Sequence, residues 1–390
     1  TIRVEVTAVS ASSGTFIDTY ITTISQGNPS KKDAIKATTK VPLPWRQVVG
    51  GAGHTVAIKD NGTLWSWGDN YNGQLGLGDN NNRNLPTQVG YDTNWQSIAA
   101  GYDYTMAVKS DGSLWAWGYN YAGQLGLGGT ANYYSPTRVG IDNNWQSVTC
   151  GYSHTLAIKI GGTLWTWGDN WSGQLGFGDT TTRYSPSQVG LDTNWSTAAA
   201  GNSFTLALKT DGTIWSCGVN ADGRLGLGNT TTYYSLTKVS AGWQAIAAGQ
   251  YHGLALKTDK TLWVWGYNSN YQLGLNDITN RLSPTQVGTD ANWVSVAGGD
   301  NHSLAAKTDG SLWSWGYNGN GQLGLGDTNQ RTTPARVGPD NNWANVTSGF
   351  SHSLSLRGSN SIWVWGNNGS YQLGLGNDWN NRLSPVWLGQ

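Results

Sequence analysis

The five histidines of this chain are the side chains best suited to acid–base or metal chemistry near neutral pH. They share one position in a unit that recurs along the sequence, and two further units carry Tyr104 and Phe204 there. A metal site needs ligands gathered together, and no cluster of cysteine or glutamate accompanies these histidines. Because aromatic residues replace histidine in two units, we predict a packing and hydrogen-bonding role, with no metal and no cofactor. The histidines are His54, His154, His252, His302 and His352.

The carboxylates follow the same repeat. Glu5 is the single glutamate, and the aspartates recur at hairpin turns, as at Asp111, and ahead of the Asn-Trp pairs, as at Asp142. Aspartate in such places bonds its own backbone. General acid–base catalysis needs two carboxylates in different environments, and no asymmetry marks such a pair. We therefore predict that the protein is not an enzyme and has no catalytic residue.

The positive charges are balanced and also periodic. Twenty-three lysines and arginines face 23 acidic residues, so the chain lacks the basic excess of a phosphate-binding surface and we predict no nucleic-acid partner. Five arginines recur three residues before a proline, and we expect them to stack on tryptophan faces; a ring of arginines that binds an anion is the alternative. These arginines are Arg83, Arg183, Arg281, Arg331 and Arg382. No stretch approaches 18 apolar residues, so we predict no membrane span.

The residues that vary between units lie in a loop after each Trp-Gly pair. Aromatic side chains there, among Asn, Ser and Gly, resemble a recognition surface and also suit stacking against sugars. Packing at the rim is the other interpretation. The binding-rim candidates are Tyr71, Tyr119, Tyr121, Trp171, Tyr267, Tyr271, Tyr317 and Tyr371.

The elements that position these residues come from seven copies of one unit. An aromatic segment such as LWSWG at 64–68 recurs at steps of 48 to 50 residues. A tryptophan also opens every unit, from Trp45 to Trp343, and 20 of the 23 tryptophans obey the pattern. Repeats of this length indicate a solenoid, propeller or array. The tryptophan content is therefore mainly a repeated structural device.

Each unit predicts four short strands. In the second unit these are 94–101, 105–110, 113–118 and 135–140, with Asp111-Gly112 as a tight hairpin signal. Four strands repeated seven times predict an all-β fold, a seven-bladed β-propeller with four-stranded blades over residues 44–390. We expect Trp45 and the segment 385–388 to lie in the same or adjacent blades and close the ring.

The segment 151–179, GYSHTLAIKIGGTLWTWGDNWSGQLGFGD, resembles the repeat of the regulator of chromosome condensation family. The shared elements are the G-x-x-H start, the W-x-W-G-x-N core and the G-Q-L-G-x-G loop, and all seven units carry them with substitutions such as Tyr104 and Cys217. The resemblance implies a seven-bladed propeller. The founding member is an exchange factor for a small GTPase that binds chromatin, whereas the uniform units here carry no long insertion that would act on a GTPase.

Residues 1–43 differ from the repeats, with no tryptophan and little glycine. Residues 2–10 and 15–24 predict strands, and 28–40 predicts a polar linker. Two strands are marginal alone, so this β-rich N-terminal extension must pack on the propeller or pair with another chain. We expect it to dock onto a protein partner or like subunits by strand addition. The assembly-strand candidates are Ile2, Val4, Val6, Phe16 and Tyr20.

The composition, rich in Asn, Thr, Ser, Gly and Tyr with two cysteines, is typical of a bacterial secreted or cell-surface protein. We predict free cysteines at Cys150 and Cys217. The function we expect is a non-enzymatic extracellular structural or protein-interaction module, such as the outer subunit of a filament or pilus-like assembly. The alternative is a glycan-binding, lectin-like module that uses the aromatic rim.

Overall fold

The computed structural model describes residues 2–7, 16–25, 28–40, 43–358 and 360–389, and for the first three ranges it describes the backbone alone. The described chain divides into two compact units, one formed by residues that precede Trp45 and the other by Trp45–Gly389. Its regular elements are strands, and these residues include no helix that could cross a membrane.

The N-terminal unit contains three antiparallel strands in the order β1-β2-β3. Their bounds are Ile2–Thr7 (β1), Phe16–Ser25 (β2) and Asn28–Lys40 (β3). The first two agree with the predicted strands. Residues 28–40 form a third strand where the polar composition predicted a linker, because β2 offers a partner along its whole length, from Phe16 opposite Lys40 to Ser25 opposite Asn28.

The side chains of the assembly-strand candidates lie outside the described part of the structure. Their backbones belong to β1 and β2, and their role in docking stays a prediction. The candidates concerned are Ile2, Val4, Val6, Phe16 and Tyr20.

Residues 45–389, apart from residue 359, form seven four-stranded antiparallel sheets, the blades of a propeller. The first and innermost strands are Trp45–Gly50 (β4), Trp95–Ala100 (β8), Trp145–Cys150 (β12), Trp195–Ala200 (β16), Trp243–Ala248 (β20), Trp293–Gly298 (β24) and Trp343–Ser348 (β28). The second strands are His54–Lys59 (β5), Tyr104–Lys109 (β9), His154–Lys159 (β13), Phe204–Lys209 (β17), His252–Lys257 (β21), His302–Lys307 (β25) and His352–Arg357 (β29).

The two outer positions complete each blade, and blades 1 to 7 follow chain order. The third strands are Leu64–Gly68 (β6), Leu114–Gly118 (β10), Leu164–Gly168 (β14), Ile214–Gly218 (β18), Leu262–Gly266 (β22), Leu312–Gly316 (β26) and Ser361–Gly366 (β30). The fourth strands are Arg83–Gln88 (β7), Tyr133–Arg138 (β11), Arg183–Gln188 (β15), Tyr233–Ser240 (β19), Arg281–Gln286 (β23), Arg331–Arg336 (β27) and Arg382–Trp387 (β31). The four predicted strands of the second unit are confirmed to within two residues at each end.

The hairpin between the second and third strands shows why the sequence folds locally this way. In blade 2, Gly112 has φ of +77°, and a Cβ there would lie 2.0 Å from the Asn143 carbonyl oxygen. Both the amide and the hydroxyl of Ser113 donate to Asp111 Oδ1. The turn therefore needs glycine in a left-handed conformation and an acceptor just before it.

The hydrophobic core lies between the blades. Trp95 at the start of blade 2 meets Trp115 and Trp117 edge to face, with ring centroids 6.0 Å apart in both pairs. The cluster that contains Trp95 and Trp117 also includes Val56 and Ile58 of blade 1. Since each blade buries its faces against its neighbours, the repeated tryptophans act as wedges between blades, as the repeat predicts.

The last blade packs on the first in the same manner. Leu388 and Trp45 belong to one buried cluster, which confirms the predicted closure in adjacent blades. The carbonyl of Gln372 accepts bonds from Thr55 Oγ1 at 2.8 Å and from Trp67 Nε1 at 2.9 Å. The ring is thus closed by side-chain packing and hydrogen bonds between two complete blades.

Candidate functional site

The repeated histidines are part of the scaffold. His154 Nε2 lies 3.0 Å from the Thr205 hydroxyl of the next blade, and that hydroxyl donates to the Gln174 carbonyl at 2.7 Å. Because the hydroxyl proton is already used, the histidine donates from Nε2 and is neutral. Burial lowers the pKa of His154 to about 4. The predicted hydrogen-bonding role is confirmed. The described residues hold no group of three or more His, Cys, Asp or Glu arranged for a metal.

The lysines at the ends of the second strands and the arginines that precede proline both contact side chains close to them in the sequence. Lys109 lies over Trp95 and Trp115, 4.5 and 4.0 Å from their ring centroids, and pairs with Asp92 at 2.7 Å. The arginines before proline instead form ion pairs with the aspartate four residues earlier, as in Arg183–Asp179 at 2.9 Å. The predicted arginine–tryptophan stacking is wrong, since the lysines occupy the tryptophan faces and each arginine has a carboxylate within reach.

The first departure from sevenfold symmetry is a set of exposed aromatic side chains. Tyr71, Tyr121 and Trp171 occupy one repeat position in blades 1, 2 and 3, and they are 75%, 76% and 83% exposed. We call these three residues the aromatic sector. Blades 4 to 7 carry small residues at this position, namely Ala221, Ser269, Gly319 and Gly369.

The second departure surrounds the central channel on the same face. The residue after the glycine that follows each inner strand is of six different types over the seven blades. Tyr102 and Tyr152 pack with centroids 4.2 Å apart, and Phe350 meets Tyr102 edge to face at 5.1 Å. The remaining positions are Ala52, Asn202, Gln250 and Asp300. The channel mouth therefore has an aromatic side and a polar side.

A groove of about 840 Å³ joins the two features across blades 1 to 3. Tyr119 and Tyr121 lie nearly parallel in it, with an interplanar angle of 16° and centroids 6.5 Å apart. Its other aromatic walls are Tyr102, Tyr152, Trp171 and Tyr184. The size is within the range of small-ligand sites.

The polar walls of the groove are carboxylates and amides. Asn72 donates to Asp103 at 3.2 Å, and Gln74 Nε2 bridges Asp69 at 3.1 Å and Asp103 at 3.4 Å. Burial, assisted by the charge of Asp69, raises the pKa of Asp103 to about 6. The residues that line the groove include no lysine or arginine. Its electrostatic character is therefore acidic.

The other predicted rim residues fall elsewhere. Tyr317 is 37% exposed in blade 6, and Tyr267 packs on Tyr251 at 6.1 Å. Tyr271 and Tyr371 have φ of 62° at a position where the other five blades use glycine. The structure thus gathers Tyr119, Tyr121 and Trp171 into one groove, places Tyr71 beside them in the aromatic sector, and leaves these four outside.

At Tyr271 and Tyr371, the large and the small residue that face each other across a blade boundary have changed sides. In blade 1 this position is Gly73, and a Cβ there would lie 2.6 Å from the ring of Tyr134 in the next blade. Thr332 takes the place of Tyr134 at the boundary where blade 5 carries Tyr271. Asn84 takes that place at the boundary where blade 7 carries Tyr371. Each boundary between blades therefore pairs one large side chain with one smaller residue in the facing blade, and the large side chain changes sides at these two boundaries.

Sequence reasoning missed Tyr102, Asp103, Tyr152, Tyr184 and Phe350. The signal was present for the channel residues, because the position after the Ala-Ala-Gly strand ends varies from unit to unit while its surroundings do not. Asymmetry within a repeat is the feature that points to a specialised surface.

The fold and this surface define a uniform β-propeller in which one face of blades 1 to 3 departs from the sevenfold symmetry. A model of the RCC1-like domain matches residues 137–389, and a model of the regulator of chromosome condensation (RCC1) repeat matches residues 61–108 and 111–158. The chain belongs to the RCC1-like family. Members of this family are generally binding or exchange-factor modules and not catalysts.

Solved structures agree in fold. Human WBSCR16 is 23% identical with a TM-score of 0.76, and the match covers 84% of this chain and 94% of that one. Prp20p from Saccharomyces cerevisiae is 20% identical with a TM-score of 0.77, covering 89% and 88%. Yeast RCC1 (Prp20) bound to Kap60 is likewise 20% identical with a TM-score of 0.76, covering 89% and 84%. At these identities the likeness shows the fold alone.

Proposed function

We propose that this propeller is a non-catalytic protein-interaction module whose ligand-binding surface is the aromatic sector with its groove. One observation carries the proposal: large exposed aromatic side chains occupy one repeat position in three consecutive blades and none of the other four. Exposed tyrosine and tryptophan are the residues that most often dominate binding energy at interfaces. The solved Prp20p, reported with its binding to Gsp1p and histones, supports the use of such a ring for protein partners.

The finer proposal is an extracellular or cell-surface location, as the outer subunit of a filament or pilus-like assembly. The N-terminal strands support the assembly role, because β1 and β3 lie at the two edges of a three-stranded sheet. Edge strands present unpaired backbone groups that another chain can use. A protein partner or a like subunit would add its strand there.

A first experiment tests the assembly role with the full chain and with a variant that lacks residues 1–25. We expect native mass spectrometry and electron microscopy to show oligomers or polymers of the full chain and a folded monomer of the variant. Loss of the far-ultraviolet and tryptophan signals of the ring on deletion would show that the segment is structural instead.

A second experiment tests the binding face. A photo-activated cross-linking residue is placed at Tyr121 in blade 2 and, as a matched control, at the equivalent Ser269 in blade 5, and both chains are produced in the source cells. We expect a discrete adduct from position 121 and none from position 269. Equal adducts from the two positions would contradict the proposed surface.

Glycan binding is the second candidate function. The observation that favours it is the composition of the groove, where the stacked tyrosines Tyr119 and Tyr121 lie beside Asn72, Asp103 and Asp169. Apolar ring faces next to planar hydrogen-bonding groups suit a molecule with one apolar and one hydroxylated side.

A further inference from the structure

We infer that the groove over blades 1 to 3 binds an uncharged oligosaccharide, and that acidic glycans are excluded from it. The inference rests on the second candidate of the proposed function, glycan binding, and names the class of sugar that the groove takes. It follows from three properties of the groove: the arrangement of the rings, the kind of polar groups between them and the sign of the charge.

The aromatic rings of the groove come from neighbouring blades. Tyr121 and Trp171 are equivalent residues of blades 2 and 3, both largely exposed, and Tyr119 lies nearly parallel to Tyr121. A pyranose ring presents a face of C–H groups that gains dispersion energy on such a flat aromatic surface. Rings repeated from one blade to the next suit a chain of sugar units better than one compact group.

The polar side chains are fixed in position before a ligand arrives. Asp169 accepts the Trp171 amide at 3.2 Å and Gln174 Nε2 at 2.9 Å, and Asp103 is held by Asn72 and Gln74. Each ionised carboxylate has about four lone-pair sites, so both retain acceptors for sugar hydroxyls. Thr130 and Thr182 add hydroxyl groups to the same wall. A fixed set of this kind gives orientation at small entropic cost.

The charge decides which sugars fit. Asp69, Asp103 and Asp169 lie on or beside the groove, and its lining residues include no cation. A uronate, sialate or sulfate would meet like charge with no compensating donor, which opposes binding. A cationic peptide is the other class that the acidic groove could attract. The observations favour sugar, because amide donors already hold both carboxylates in place and the nearly parallel rings of Tyr119 and Tyr121 offer flat faces to a pyranose.

The test uses the full chain and isothermal titration against a panel of probes. Neutral oligosaccharides of glucose, mannose, galactose and N-acetylglucosamine form one set, oligogalacturonate and a sulfated oligosaccharide the second, and an oligolysine peptide the third. We expect binding of at least one neutral probe, little dependence on salt, and no binding of the acidic probes. Trp171→Ala and Tyr121→Ala should each weaken binding at least tenfold, while Tyr91→Ala, an exposed aromatic of blade 1 on the opposite face, should leave it unchanged.

Other outcomes separate this inference from the proposed function. Binding of oligolysine but of no neutral probe, lost on Trp171→Ala, would overturn the inference and leave the binding face standing. Absence of any neutral binding at millimolar concentration would also overturn the inference, whatever the cross-linking shows. Neutral binding that survives both sector variants would place the sugar site elsewhere and overturn the inference, while the cross-linking at position 121 would still decide the proposed function.

Discussion

The five buried histidines predict that the ring loses stability steeply in mild acid. Burial lowers the pKa of four of them to about 3 and that of His154 to about 4. In the unfolded chain the same groups titrate at about 6.5. Between these values the unfolded chain binds more protons than the folded ring, so stability is full above about pH 6.5 and falls as the pH drops.

The magnitude follows from the same numbers. At pH 5, each histidine that is neutral in the folded ring and titrates at about 6.5 in the unfolded chain lowers the free energy of unfolding by about 2 kcal/mol. Five such histidines lower it by about 10 kcal/mol. Whole domains have free energies of unfolding of about 5–15 kcal/mol. We therefore expect the propeller to be stable at pH 7 and close to its unfolding transition at pH 5.

The chain contains its own control for this effect. At the boundary of blades 4 and 5, Phe204 replaces histidine and Gly253 replaces the serine or threonine that accepts its bond. The double variant His252→Phe, Ser303→Gly copies that pair at the next boundary, where His252 Nε2 now lies 2.9 Å from the Ser303 hydroxyl. It should lower the slope of stability against pH by about 1.2 kcal/mol per pH unit between pH 6 and 4.5.

The assay is denaturant unfolding followed by tryptophan fluorescence at half-unit steps from pH 7.5 to 4.5. Carboxylates add to the pH dependence of both proteins, so the difference in slope between wild type and double variant isolates the histidine contribution. A free energy of unfolding that stays constant from pH 7 to 5, or equal slopes in the two proteins, would refute the reasoning.

Three further predictions concern packing and reactivity. Tyr271→Gly and Thr332→Tyr should each lower the free energy of unfolding by about 1–3 kcal/mol. The double variant should regain most of that free energy, because it restores the glycine and the large residue that face each other at the other boundaries. Additive effects in the double-mutant cycle would contradict this pairing of large and small residues. Burial raises the pKa of the Cys217 thiol, so a thiol reagent at pH 7.5 should label it only after unfolding, and stoichiometric labelling of the native ring would show that it is accessible. Trp171→Ala should change the free energy of unfolding by less than about 0.5 kcal/mol, whereas Trp167→Ala, in the core, should cost about 3–5 kcal/mol; equal costs measured by thermal unfolding would show that the sector residue is structural.

The repeat predicted the scaffold well because its determinants are local or recur at fixed spacing. Turns such as Asp111-Gly112 lie within one unit, and the wedge at Trp95 recurs at the start of every unit, with Cys217 in place of one of its tryptophan partners in blade 4. The arginines were assigned the wrong partner because spacing alone does not say which of two neighbours is nearer, and the aspartate four residues before each arginine was overlooked.

The groove over blades 1 to 3 was harder to predict, since it combines residues that are distant in sequence. Tyr121 and Trp171 were identified from the loop composition. Phe350 meets Tyr102 only because the ring closes, bringing blade 7 next to blade 1 and close to blade 2. The role of Tyr271 required knowledge of the residue opposite it in the next blade, which the sequence of one unit does not contain.

Seven similar sets of contacts between blades build the ring, and we propose that one sector of it, on blades 1 to 3, binds the ligand or partner. The most direct measurement is an electron cryomicroscopy map of the chain in its native assembly at side-chain resolution. The account predicts density from a ligand or partner against Tyr71, Tyr121 and Trp171, with the equivalent positions Ser269 and Gly319 bare. Density spread evenly around the ring, or confined to blades 4 to 7, would contradict it.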